Sequence, residues 1–159
     1  MEEFKPKHTL SDSKEFQEGR EKMGGLILEH MKTTGGTDLD WIIERKGGFI
    51  ILELKKLIKD RISIPLGQMI TFENLYYKLN LDSKCHFLIF GSDDIDFKNP
   101  DSKIWYFDMA DWVHNKIKYK HDMGYGYRRW LVYKQDMTET SVGEFRTVID
   151  KYWNEFSNP

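Results

Sequence analysis

With one cysteine in 159 residues, the chain can form no disulfide within itself. That residue, Cys85, lies in the apolar run Cys85-His-Phe-Leu-Ile-Phe90 and reads as a small buried side chain. A reducing, intracellular setting such as the cytoplasm is the expectation. The sequence also lacks any apolar run near the roughly 20 residues of a membrane-spanning helix, so no membrane partner is expected. No signal-peptide pattern opens it, because Met1-Glu-Glu-Phe-Lys5 is charged. Charge of one sign is missing as well: 24 Lys and Arg stand against 26 Asp and Glu, a formal net charge of −2. Near-neutrality argues against holding nucleic acid by electrostatics alone. The five histidines show no ligand-like spacing with Cys or acids, which excludes a structural zinc motif. There is no P-loop, dinucleotide fingerprint or Gly-x-Ser-x-Gly elbow. No repeat, low-complexity tract or linker interrupts the chain, so a single domain over 1–159 is expected.

What is present is aromatic and charged. Five Trp, eight Tyr and ten Phe within 40% hydrophobic content argue for an ordered core. A chain that is 31% charged supplies acid-x-Lys triplets freely. They occur at Glu3–Lys5, Glu44–Lys46, Asp12–Lys14, Asp82–Lys84, Asp96–Lys98 and Asp101–Lys103. Glu53–Lys55 differs from these by its context. It ends the strongly apolar run Phe49–Leu54, and a second apolar run, Leu39–Ile43, precedes it across Arg45-Lys46-Gly47-Gly48.

Two β-prone runs around such a turn predict a β-hairpin. With Lys46 and Gly47 at the turn centre, Asp40 lies opposite Glu53 and Asp38 opposite Lys55. Opposite residues on one face have Cβ atoms about 4.5–5.5 Å apart. Alternation puts Phe49, Ile51, Glu53 and Lys55 on one face, and Ile50, Leu52 and Leu54 on the other. Both faces are apolar near the turn, as in an interior strand, and charge appears at the far end of one face only. Two acids and a lysine there make a plausible divalent-metal site. A cross-strand salt-bridge cluster at the sheet end is the structural alternative.

Other elements follow from periodicity. A capping box at Asp12 and Glu15 predicts a helix from about Ser13 to Met31, with Gly24-Gly25 inside it. The connection 56–64 is polar-rich and predicts no regular element. Pro65 suits a first helical position, and Met69, Phe72, Tyr76 and Leu79 repeat at helical spacing. His86–Phe90 reads as a buried strand and Ile104–Phe107 as another. Asp108 should cap a helix to about Lys118. Residues 119–127 look irregular, and Arg129–Tyr133 reads as a strand. Ser141 and Glu144 should open a terminal helix to about Phe156. This order predicts an α/β domain with a mixed sheet.

On these residues the chain resembles the PD-(D/E)XK nuclease superfamily. The resemblance covers roughly residues 13–91 and rests on Asp40, Glu53 and Lys55. Leu39 stands where the classical pattern has Pro. The resemblance implies a restriction-endonuclease-like fold, a central mixed β-sheet flanked by helices with an αβββαβ-type core. That core would span about 13–107, and 108–159 would be a helical and aromatic extension. It further implies Mg²⁺ or Mn²⁺ held by Asp40, Glu53 and the Leu54 carbonyl, with Lys55 beside them. Some branches carry a Gln at the second helix, here Gln68, near the scissile phosphate; where one branch has a Tyr four residues later, this chain has Phe72. Asp38 remains an alternative to Asp40, and Glu18, Glu21 or Glu29 could supply a first-helix acid. The implied activity is metal-dependent hydrolysis of phosphodiester bonds in DNA, with a homodimer possible. A silent nucleic-acid-binding or protein-interaction module is the competing class. Lys118, Lys120, Arg128 and Arg129 alternate with aromatics and are candidate nucleic-acid contacts.

Overall fold

Lys46 and Gly47 turn the chain with φ of 49° and 82°, the paired positive values of a tight hairpin turn. Around them β1 (Trp41–Arg45) and β2 (Gly48–Lys56) pair antiparallel, from Arg45↔Gly48 to Trp41↔Leu52. This is the register expected from the sequence. The computed structural model describes Lys14, Glu18, Lys22 and residues 39–157, without 94–95, 124–125 and 127. The chain divides into two compact units, Met1–Asp38 and Leu39–Pro159. In the first, Lys14, Glu18 and Lys22 are helical and exposed, within the stretch expected to be a helix. Lys14 Nζ lies 3.8 Å from Glu18 Oε1, one turn apart. Phe16, Met23, Ile27, Met31 and the Gly24-Gly25 pair lie outside the described residues.

The second unit continues with β3 (Arg61–Pro65), α1 (Leu66–Asp82), β4 (Cys85–Ser92), β5 (Lys103–Asp108) and α2 (Met109–Val113). Then come β6 (Lys120–Asp122), β7 (Arg129–Tyr133), a short 3-10 turn, β8 (Thr138–Ser141) and α3 (Val142–Glu155). Two sheets result: a five-stranded one ordered β1-β2-β4-β5-β8, and a three-stranded one ordered β3-β7-β6. The larger sheet is mixed, because β2 and β4 run parallel while its other pairs are antiparallel. The architecture is α/β.

Alternation along β2 and β4 builds two cores. Phe49, Ile51, Phe87 and Ile89 pack with Met69 and Phe72 of α1 and with Val132 of the smaller sheet. Leu52, Leu88 and Phe90 pack on the other face with Val142, Phe145 and Val148 of α3. The interior strand is thus covered on both sides, as its apolar run requires. The helical repeat Met69, Phe72, Tyr76 and Leu79 forms the inward stripe of α1. Asp108 caps α2 by accepting from Ala110 N at 2.8 Å, and Ser141 with Glu144 forms the capping box of α3.

Three differences from the sequence reading have local causes. Pro65 precedes α1 as its N-cap rather than starting it. The helix after Asp108 ends at Val113, not near Lys118, because Asn115 adopts φ of 58° and its N–H bonds Trp112 O at 3.0 Å. A left-handed Asn just past the last turn is a helix stop. The connection 56–64 supplies all but the last residue of β3, and 119–127 contains β6; both join the smaller sheet through β7. Residues after 108 also supply β8 to the large sheet and α3 to its face.

Candidate functional site

The ladder of the hairpin stops at Trp41↔Leu52, and the next position places Asp40 against Glu53. Asp40 N donates to Glu53 Oε2 at 3.2 Å, and Asp40 Oδ2 accepts from Leu54 N at 2.8 Å. Asp40 therefore closes the open end of the hairpin while its side chain stays exposed. Across β2, Glu53 pairs with Ile89 and Lys55 with Gly91 of the parallel strand β4. These are the carboxyl ends of adjacent parallel strands, where open α/β sheets commonly hold ligands.

Glu53 is 2% exposed, the one charged side chain in the buried set of described residues. Its Oε1 accepts from Lys55 Nζ at 2.7 Å. The same Nζ donates to Gln68 Oε1 at 2.7 Å, which ties the hairpin to the first turn of α1. Lys55 Nζ also lies 5.7 Å from the centroid of the Phe72 ring. An ammonium has three donors, and Glu53 and Gln68 occupy two.

Burial pushes the Glu53 carboxyl above its ordinary value of 4.5. The hydrogen bond and charge of Lys55 pull it back, and the negative charge of Asp40 adds to the rise. Desolvation outweighs the lysine, so Glu53 holds its proton more strongly than a surface acid. The repulsion from Asp40 that adds to the rise is of the kind a cation relieves. The donors are all oxygens, Asp40 and Glu53 carboxylates with the Leu54 carbonyl nearby in sequence, and this set suits a hard divalent ion. Each Glu53 oxygen keeps acceptor capacity beyond its one hydrogen bond. The residues present fit Mg²⁺ or Mn²⁺. Among the described residues no group of three or more His, Cys, Asp or Glu converges, so such an ion would need backbone and water oxygens as well.

Asp40, Glu53, Leu54, Lys55 and Gln68 are thus brought together. Asp38 and Glu21 lie outside the described residues, as does Glu29. Glu18 is exposed on the helical stretch of the first unit, beside Lys14. Lys118 is exposed just before β6 and Lys120 is exposed at its start, with Lys120 Nζ 5.2 Å from the Tyr133 ring centroid. Arg128 is exposed and its carbonyl accepts from Leu66 N at 2.9 Å, joining the smaller sheet to the start of α1. Arg129 lies on β7 opposite Pro65 and Asp122.

Two residues support the site in ways the sequence did not assign to them. A Cβ on Gly91 would lie 2.9 Å from Lys55 O, so the close approach of β4 to the lysine needs a glycine there. Phe72 forms an apolar floor beside the ammonium. Gly91 at the close of an apolar run carried a signal for close packing; Phe72 read as part of the helical stripe and as the residue standing where one branch has a Tyr.

Among the described residues no helix is long and apolar enough to cross a membrane. No family model, curated protein or solved structure matches the chain, so the reading of this site stands on its own residues.

Proposed function

We propose that the chain is a metal-dependent nuclease of the restriction-endonuclease-like type, hydrolysing phosphodiester bonds, with DNA as the favoured substrate. The observation that carries this is the position of Lys55. Its ammonium is held at 2.7 Å by both Glu53 and Gln68, at a strand end where a second acid, Asp40, stands opposite Glu53. Asp40, Glu53 and the Leu54 carbonyl would hold the ion. When bound, Mg²⁺ or Mn²⁺ supplies Lewis-acid stabilisation of phosphate charge and lowers the pKa of water.

The chain's own groups do the rest. Two of the three Lys55 donors are used inside the protein, which leaves one for a water or a phosphate oxygen. Fixing the ammonium in advance lets it meet charge developing on phosphate without reorganisation. Gln68 restrains the lysine head and brings the first turn of α1 to the same point. Phe72 keeps water from one side of it.

The test is incubation with labelled single-stranded, duplex, flap and four-way-junction DNA, with Mg²⁺ or Mn²⁺. Cleavage should fall by roughly 100-fold or more in Lys55→Ala and in Asp40→Ala, the usual scale for losing a preorganised charge-stabilising group. Metal-dependent cleavage unchanged in Glu53→Ala would sink the assignment.

One observation favours a second reading, a non-catalytic module. Both Glu53 oxygens already have donors within the protein, Lys55 Nζ and Asp40 N, so the acid has a structural role without any ion. Mn²⁺ titration separates the two. The nuclease binds the ion with dependence on Asp40 and Glu53, and the module does not.

A further inference from the structure

Two clefts meet at Tyr119. One, of about 210 Å³, is lined by Tyr77, Trp112, Tyr119, Trp130 and Glu73. Its rings form a corner. Trp112 and Tyr119 lie 4.8 Å apart at 34°, while Trp130 stands nearly perpendicular to both, at 80° and 88°. Trp112 Nε1 donates to Glu73 Oε1 at 2.6 Å, leaving Oε2 without a donor among the described residues. No basic side chain is among the described lining residues. The second cleft, of about 650 Å³, has Lys118, Lys120, Tyr133 and Asp136 in its lining. Its two lysines against one acid leave it positive, and Tyr119 belongs to both clefts.

Size and charge select the occupant. A cavity of roughly 150 Å³ takes one benzene, so 210 Å³ admits one flat ring system and not a whole nucleotide or a drug-sized ligand. Aromatic walls favour stacking, and a carboxylate favours an N–H edge and repels phosphate. The adjoining lysines favour an anion. A ligand with a flat, amino-bearing end joined to a phosphate matches both clefts, whereas a cationic peptide would be repelled by Lys118 and Lys120. We infer that the paired clefts bind an unpaired nucleotide of a single-stranded nucleic acid, with the base against Tyr77, Tyr119 and Trp130, its amino edge toward Glu73, and the phosphates over Lys118 and Lys120. A base in a duplex cannot enter without leaving its stack. Glu73 and Tyr77 lie about 7.5 and 13.5 Å beyond Gln68 along the axis of α1 at 1.5 Å per residue, so the two regions share one helix. The inference extends the nuclease reading by naming a second place where substrate is held, and its geometry is independent of the metal site.

The test is binding of oligo(dC) and oligo(dT), about twelve nucleotides long, to the full chain in EDTA. Tryptophan fluorescence and a labelled-oligonucleotide titration are read together. Oligo(dC) should quench the fluorescence and bind more tightly than oligo(dT), since a carboxylate accepts from the cytosine amino group. A blunt duplex of equal length should bind at least tenfold more weakly. Tyr119→Ala should weaken binding roughly tenfold or more, the scale of one base–aromatic stack. Glu73→Gln should remove the preference for dC, with circular dichroism and melting temperature unchanged. Tyr77→Ala, at a position 53% exposed, gives a second probe should Tyr119→Ala fail to fold. Unchanged affinity in the folded aromatic variants overturns the proposal. So does quenching by choline with none by oligonucleotide, which would mark an organic-cation site. Tyr119-dependent binding in a protein that never cleaves DNA leaves this proposal standing and removes the nuclease reading. Lys55-dependent cleavage with no effect of Tyr119 or Tyr77 does the reverse.

Discussion

Glu53 is a carboxylate taken almost wholly out of water, and its partners do not fully compensate for that. Folding therefore raises its affinity for a proton. A carboxyl whose pKa rises on folding stabilises most below its unfolded value, here 4.5, and that contribution is lost as pH rises through the folded value. Glu53→Gln carries no such proton. In EDTA its melting temperature should gain on the wild type as pH rises above 4.5, the unfolded value. A relative loss over that range would mean that Lys55 outweighs burial. Metal binding, which needs the charged carboxylate, should weaken as pH falls through the same raised value. The site's residue types were legible in the sequence, since Asp40, Glu53 and Lys55 follow from turn position and strand parity. The raised proton affinity was not, because it depends on how much of Glu53 the surrounding core covers.

At the scale of elements, the ends of β2 and β4 must come close for the lysine to sit where it does. Gly91→Ala would push its Cβ into Lys55 O, a backbone atom that cannot rotate away. It should cost roughly 1–3 kcal/mol in urea denaturation and lower cleavage with it. Gly67→Ala is the contrast. It lies in the first turn of α1 with open space around its would-be Cβ, so it should be neutral or stabilising by up to about 1 kcal/mol. Elements with strong local signals were legible: the hairpin from its turn, β7 from Arg129–Tyr133, and α3 from its capping box. The short strands β3, β6 and β8 were not. In β3, buried Ile62 and Ile64 alternate with Arg61, Ser63 and Pro65, but the polar flanks mask the period. In β8, Thr138–Ser141 has no apolar residue at all, and it is a strand because β5 offers a partner edge. Short strands of this kind are fixed by pairing at long range rather than by propensity.

Across the larger unit, the central sheet separates the face that carries the candidate site from the one that packs on α3. Glu53, Lys55 and Phe72 lie on the side of the α1 core, and Phe145 anchors α3 on the other. Phe72→Leu and Phe145→Leu should each destabilise on the order of 1 kcal/mol through lost packing. Only Phe72→Leu should change cleavage measured well below the melting temperature, because only that ring lies beside the ammonium. Equal effects on cleavage would show that the sheet transmits packing changes from either face. By itself the sequence determined the α/β class, the hairpin register and the acids and lysine at its open end. These are local matters of turn chemistry and period-2 alternation, which a one-residue slip would reverse. The tertiary structure alone decided that β3 joins a second sheet with β7 and β6, that Gln68 reaches Lys55, and that Tyr119 lies between two clefts of opposite character. Each joins residues far apart in the chain, and burial of shared apolar surface, which no local pattern records, brings them together.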